Sequence, residues 1–131
     1  MPLSQNKALH LAANAIATIS IGFGFNAFLR PEHGLTFFAW DYPTSLPERQ
    51  LVDSLMYVYG IRDIFMGVAI YICSFWGTRQ SLGWMLVANG AVALADGFVC
   101  WTWGEGQGAH WGYAPLIIGV GTALLGFFDS A

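Results

Sequence analysis

The chain has 131 residues, of which 56 % are apolar and only 10 % charged, with a mean hydropathy of +0.53. A soluble domain of this length carries about 25 % charged residues to cover its surface, so the composition excludes an ordinary soluble protein and points to one membrane domain. The net charge of −3 comes without any basic run, which excludes nucleic acid as a partner.

Four apolar segments follow in chain order, at about 8–29, 51–75, 82–103 and 109–128. Each is about 20 residues or slightly longer, the length that crosses a hydrocarbon core of ~30 Å at 1.5 Å per residue. They lack the period-2 alternation of a barrel strand, and only helices or closed barrels can span lipid. The expected fold is therefore all-α, a four-helix transmembrane bundle in a single domain spanning residues 1–131. The first segment is longer than a signal-peptide core and is read as a retained helix. Six Trp, ten Phe and five Tyr fit interfacial aromatic belts. Cys73 and Cys100 both fall in apolar runs without metal spacing and are read as buried free thiols.

The connections differ in character. The first, "RPEHGLTFFAWDYPTSLPERQ", is long and holds three prolines, and its aromatic centre is expected at the membrane interface. The second, "WGTRQS", is a tight polar turn, and the third, "GEGQG", is flexible by composition. With four spans, the first and third connections share a side. His33, Trp40, Asp41 and Tyr42 then face "WTWGEGQGAHWGY" across one end of the bundle as a mouth or lid. Lys7 and Arg79 balance Arg30 and Arg49 across the two sides, so the positive-inside count is a tie. Gly112, Gly119 and Gly126 repeat every seven residues along the fourth segment, and Gly60 and Gly67 lie in the second. Such small faces serve close helix packing within the bundle or between copies.

An ionisable group in the membrane interior costs at least ~2.5–3.5 kcal/mol and usually faces the bundle interior with a partner. Arg62, Asp63 and Asp96 lie well inside their segments. Counted from the long-loop side, Arg62 is ~16 Å deep and Asp96 ~10 Å deep. Asp53 can reach the interface. Arg62 and Asp63 diverge by about 100° on a helix, so one faces a shared pocket and the other reaches another helix, with Asn26 or Ser20 as partners in the first segment. His10 and Asn14 lie at the opposite end, outside this cluster. Asn89, Ala93, Asp96, Cys100 and Trp103 share one side of the third segment by their spacing.

Two carboxylates beside one arginine can divide acid and base roles. The candidate catalytic residues are Arg62, Asp63 and Asp96. Tyr57, Tyr59, His110, Trp40, Trp103 and Asn89 are the candidate substrate-binding residues, in an apolar aromatic pocket that implies a lipophilic small-molecule substrate. A structural ion-pair network tying the helices together accounts for the same three charges, and an ion path is a further alternative. His33 and Glu105 read as solvated residues, and the tryptophans as an interfacial belt or a binding cage. No soluble-enzyme motif, metal-ligand pattern or cofactor fingerprint occurs, so neither a metal nor a cofactor is expected.

"YGIRDIFMG", "ALADGF" and "GAHWGY" resemble a family of small four-span membrane proteins of fungi and bacteria filed as a domain of unknown function. Some fungal proteins of this kind are linked to natural-product pathways. The resemblance implies epoxide opening, cyclisation or isomerisation of a polyketide or terpenoid, and an endoplasmic-reticulum membrane if the source is fungal. Soluble limonene-type epoxide hydrolases use an Asp–Arg–Asp group, which Arg62, Asp63 and Asp96 match in side-chain type and not in fold. The leading expectation is a cofactor-free acid–base membrane enzyme with a pocket open toward the long-loop side. The alternative is a non-enzymatic scaffold or accessory subunit, with homo-oligomerisation through a glycine face.

Overall fold

The computed structural model describes residues 1–129, and among them the regular structure is helical, with no strand. A single 3-10 turn, Leu3–Gln5, precedes α1 (Lys7–Leu29), α2 (Pro31–Thr36), α3 (Leu46–Trp76), α4 (Arg79–Trp103) and α5 (Gln107–Leu124). The starts are set by local chemistry. The Asn6 side chain accepts from the Ala8 N–H and caps α1. Pro47 sits in the first turn of α3, where a missing N–H costs nothing. Thr78 and Ser81 form a reciprocal capping box on α4, directly after Gly77 ends α3.

Three helices, α1, α3 and α4, are long and apolar enough to cross a membrane. Their outer faces carry large apolar side chains in the open, among them Leu11, Phe25, Leu55, Phe65, Ile72 and Phe98. An exposed apolar surface of this extent has a bilayer as its natural solvent. The segment boundaries need correction. The second helix starts at Leu46 and has 31 residues, and the third starts at Arg79. The fourth ends at Leu124, its last residues forming a turn with Gly126 at φ 88°. It has 18 residues, carries Pro115 inside, and is not among the three long apolar helices.

The helices associate as two tight pairs. In α1/α3, Gly24 meets the backbone of Gly60, and Gly67 meets the Ala17 carbonyl. In α4/α5, Gly83 faces Gly121, Gly90 faces Ile118 and Gly97 faces the Trp111 ring. The contacts between pairs, α3 on α4 and α1 on α5, are sparser. Thus Gly60 and Gly67 pack as the sequence suggested, whereas Gly112 and Gly119 face open space and Gly126 serves a turn. A seven-residue glycine spacing marks a face but not what lies opposite it. Gly60→Ala is expected to cost about 1–3 kcal/mol in chemical denaturation, because the added methyl would overlap the Gly24 carbonyl. Gly112→Ala, with nothing near its new Cβ, is expected to be neutral or slightly stabilising.

Two apolar clusters cap the bundle. One joins Ala13, Ile16, Ala17, Ile70, Leu82, Leu86, Ile117 and Leu124 near the chain termini. The other joins Ala27, Leu35, Phe38, Met56 and Cys100 at the opposite end. The second includes the connection after α1, which forms α2 and buries Leu35 and Phe38 in the protein. At the terminal end, the Ser4 N–H and hydroxyl donate to the Asp129 carboxylate at 2.9 and 2.6 Å. These bonds hold its carboxyl below the usual range, so the tie is complete at neutral pH and is lost as the pH falls through that lowered value.

Candidate functional site

Between the two apolar clusters, and between the two helix pairs, lies a cavity of about 300 Å³. Every helix contributes to its wall. From α1 come Ile16, Ile19, Ser20, Phe23 and Asn26, and from α3 Tyr59, Asp63 and Met66. From α4 come Asn89, Val92, Ala93 and Asp96, and from α5 His110, Tyr113, Leu116 and Ile117. Gly34 of α2 and the following Phe37 complete it.

Arg62 is the organising charge. Its Nη1 donates to Asp96 Oδ1 at 3.0 Å and its Nη2 to Asp96 Oδ2 at 2.7 Å, a two-pronged fork joining α3 to α4. The same Nη2 reaches Asp63 Oδ1 at a longer 3.4 Å. The guanidinium lies 4.3 Å from the centre of the Tyr59 ring, a cation–π contact that fixes its plane. The expected divergence of Arg62 and Asp63 thus has a definite outcome. Asp63 lines the cavity, and Arg62 turns sideways to the neighbouring helix. Its partner is Asp96 and not Asn26 or Ser20, both of which line the cavity instead. Arg62 and Asp96 occupy one level, because α3 begins five residues before the expected start and overshoots the other helices on that side.

Tyr59, His110 and Asn89 also line the cavity, as their positions suggested. His110 is 2 % exposed, and its Nδ1 pairs with the Tyr113 hydroxyl at 2.9 Å. Sequence reasoning missed Tyr113, although its spacing of three from His110 on one helix face is a readable signal. Three expected substrate contacts fall elsewhere. Tyr57 points outward and packs on Phe28 with ring centres 5.2 Å apart. Trp103 is 78 % exposed at the end of α4. Trp40 stacks on Phe38 at 5.2 Å above Gly104, next to the cavity roof and not in its wall. Tyr57 faces away from the cavity, Trp103 ends its helix, and Trp40 lies in the connection after α2.

Phe38 is the other residue missed. Its ring sits 5.0 Å from His110, 5.1 Å from Tyr59 and 5.2 Å from Trp40, and its backbone packs against Gly106. The long-loop end is therefore roofed, and the expected opening there is not found. The residues that line the cavity and also reach the outer surface are Ile19 and Phe23 of α1 and Ala109, Tyr113 and Leu116 of α5, with Ile19 57 % and Leu116 64 % exposed. The opening is lateral, through the sparse α1/α5 contact.

Other polar residues stand apart from this cluster. His10 and Asn14 meet Ser74 at 2.8 and 2.6 Å near the terminal end. Asp53 accepts from the Tyr42 hydroxyl at 2.8 Å, and exposed His33 bonds Asn26 at 3.0 Å. Glu105 is exposed and both cysteines are free, Cys100 fully buried and Cys73 partly so. Among the described residues, no group of three or more His, Cys, Asp or Glu is placed to hold a metal ion.

No curated protein and no solved structure matches the chain. A family model does, over residues 17–124, which takes in α1 from Ala17 onward, the whole of α2 to α5 and every charged residue of the cavity cluster. The chain belongs to the family described as the domain of unknown function DUF4267.

Proposed function

We propose that the protein is a membrane enzyme that acts on a lipophilic small molecule by acid–base chemistry, with α5 as a fourth span. The observation that carries this reading is the position of Asp63. Its carboxyl lines a largely apolar cavity and takes one long contact from Arg62, while both oxygens of Asp96 are engaged by the same guanidinium. Two carboxylates in unlike environments around one cation are the arrangement that separates an acid from a base. The lateral opening between α1 and α5 suits a substrate dissolved in the bilayer.

An epoxide of a terpenoid or polyketide fits this chemistry. The carboxylic acid of Asp63 gives its proton to the epoxide oxygen as a ring C–O bond breaks. Water, or a hydroxyl of the same molecule, forms the new C–O bond and gives its proton to the Asp96 carboxylate. Hydrolysis yields a diol and internal attack a cyclic ether, and proton exchange between the two acids restores the starting state. Tyr59 and the His110–Tyr113 pair flank the reacting oxygen.

The test uses the full chain in lipid nanodiscs with a panel of terpenoid and polyketide epoxides in heavy-oxygen water, read by mass spectrometry. Turnover above that of empty nanodiscs is expected, with one heavy oxygen in a diol and none in a cyclic ether. Rates equal to those of empty nanodiscs across the panel reject the enzyme. A second reading, a scaffold whose charges only join helices, draws on the Arg62–Asp96 fork between α3 and α4. It predicts no turnover, together with a large loss of stability when the fork is broken.

A further inference from the structure

The cavity has a second polar level that the acid–base chemistry does not use. Asn89 lies on α4 seven residues before Asp96, nearly two full turns, so the two share a face about 10 Å apart along the axis. Asn89 is 5 % exposed and lines the cavity, and its Nδ2 has no hydrogen-bond partner among the described residues. Leu86, one turn below, belongs to the buried cluster that contains Ile16 and Ile117, and Met66 and Val92 line the same cavity. A buried amide without a partner costs stability, and a helix this apolar would carry leucine there at no loss. The amide tie expected of a structural asparagine in a membrane bundle is missing.

We propose that Asn89 is a ligand-anchoring residue whose amide donates to a second oxygen of an elongated lipophilic ligand, about 10 Å from the oxygen that meets Asp63 and Asp96. The ligand class is then an apolar chain or fused-ring body with an oxygen function at each end. The deep oxygen, a carbonyl, ether or hydroxyl, sets the register that brings the other to the carboxylates. This rests on reading the cavity as a lipophilic ligand site and does not depend on turnover.

The experiment measures equilibrium binding to the full chain in nanodiscs by native mass spectrometry. The two-ended probe is a hydroxydecanone with hydroxyl and ketone at opposite ends, decanol is the one-ended probe, and a hydroxyhexanone is the short two-ended control. Wild type is expected to bind the hydroxydecanone about tenfold more tightly than decanol, and the hydroxyhexanone, which buries fewer methylenes, more weakly than the hydroxydecanone. Asn89→Leu is expected to erase the preference over decanol, keep decanol binding unchanged and leave the melting temperature equal or higher. If Asn89→Leu does not fold, Asn89→Ala supplies the same comparison. Equal binding of all three probes by wild type, no binding of any, or a preference that survives in both variants overturns the proposal. Absent turnover on the epoxide panel with the binding preference intact rejects the enzyme reading alone, so loss of the anchor and failure of the enzyme reading give different results.

Discussion

Asp63→Asn is expected to lower turnover by roughly 100- to 10,000-fold, the usual worth of a positioned proton donor, while the protein keeps its fold. Asparagine has nearly the same shape and can still accept from Arg62, so the packing around the cavity survives. It carries no transferable proton, so the step that needs one is lost. Asp63 makes a single 3.4 Å contact with Arg62, and removing its charge therefore breaks little. Asp96→Asn should also lose turnover, but for two reasons at once, since it disrupts the fork to Arg62 as well. The informative measurement is the pair of turnover and thermal stability in detergent. Asp63→Asn should separate them, and Asp96→Asn should lower both. Normal turnover in Asp63→Asn would remove this residue from the chemistry.

The largest expected loss of stability belongs to Arg62→Ala, on the order of 3 kcal/mol. Without the guanidinium, Asp63 and Asp96 share one low-dielectric layer as uncompensated acids, and α3 loses its charged link to α4. The Arg62 side chain is 36 % exposed, which places the effect at the lower end of the range for buried pairs. Arg62→Lys should recover only part, since an ammonium cannot present two parallel donors to one carboxylate. A double-mutant cycle with Asp96→Asn, followed by chemical denaturation in mixed micelles, isolates the fork. A coupling near zero would mean that the two helices are held by packing alone.

Much of this was legible in the sequence because the membrane interior makes charge conspicuous. Arg62, Asp63 and Asp96 stood out in apolar runs, and one-residue geometry already required Arg62 and Asp63 to part. What helix periodicity could not supply was the partner across each face. Tyr57 and Tyr59 are two residues apart, yet one packs outward on Phe28 and the other holds Arg62 in place. The same limit applies to the glycines, where Gly112 and Gly119 repeat faithfully along a face with nothing opposite within the chain. Phe38 was hidden for another reason. An aromatic residue in a proline-rich connection looks alike whether it floats at an interface or plugs a bundle, and only the folded-back α2 distinguishes the two.

The glycine seams also divide the protein into parts that tolerate change differently. At Gly24, Gly60, Gly83 and Gly121 a backbone atom waits where any side chain would go, so a substitution there must push the paired helices apart at a cost in stability. Ile19, Val92 and Leu116 border empty volume, and neither seam runs through them. If the cavity is a ligand site as proposed, its preference is set by side-chain size at a few cleft positions while the backbone frame stays the same. A single scaffold of this kind could be retuned for unrelated lipophilic molecules without being refolded.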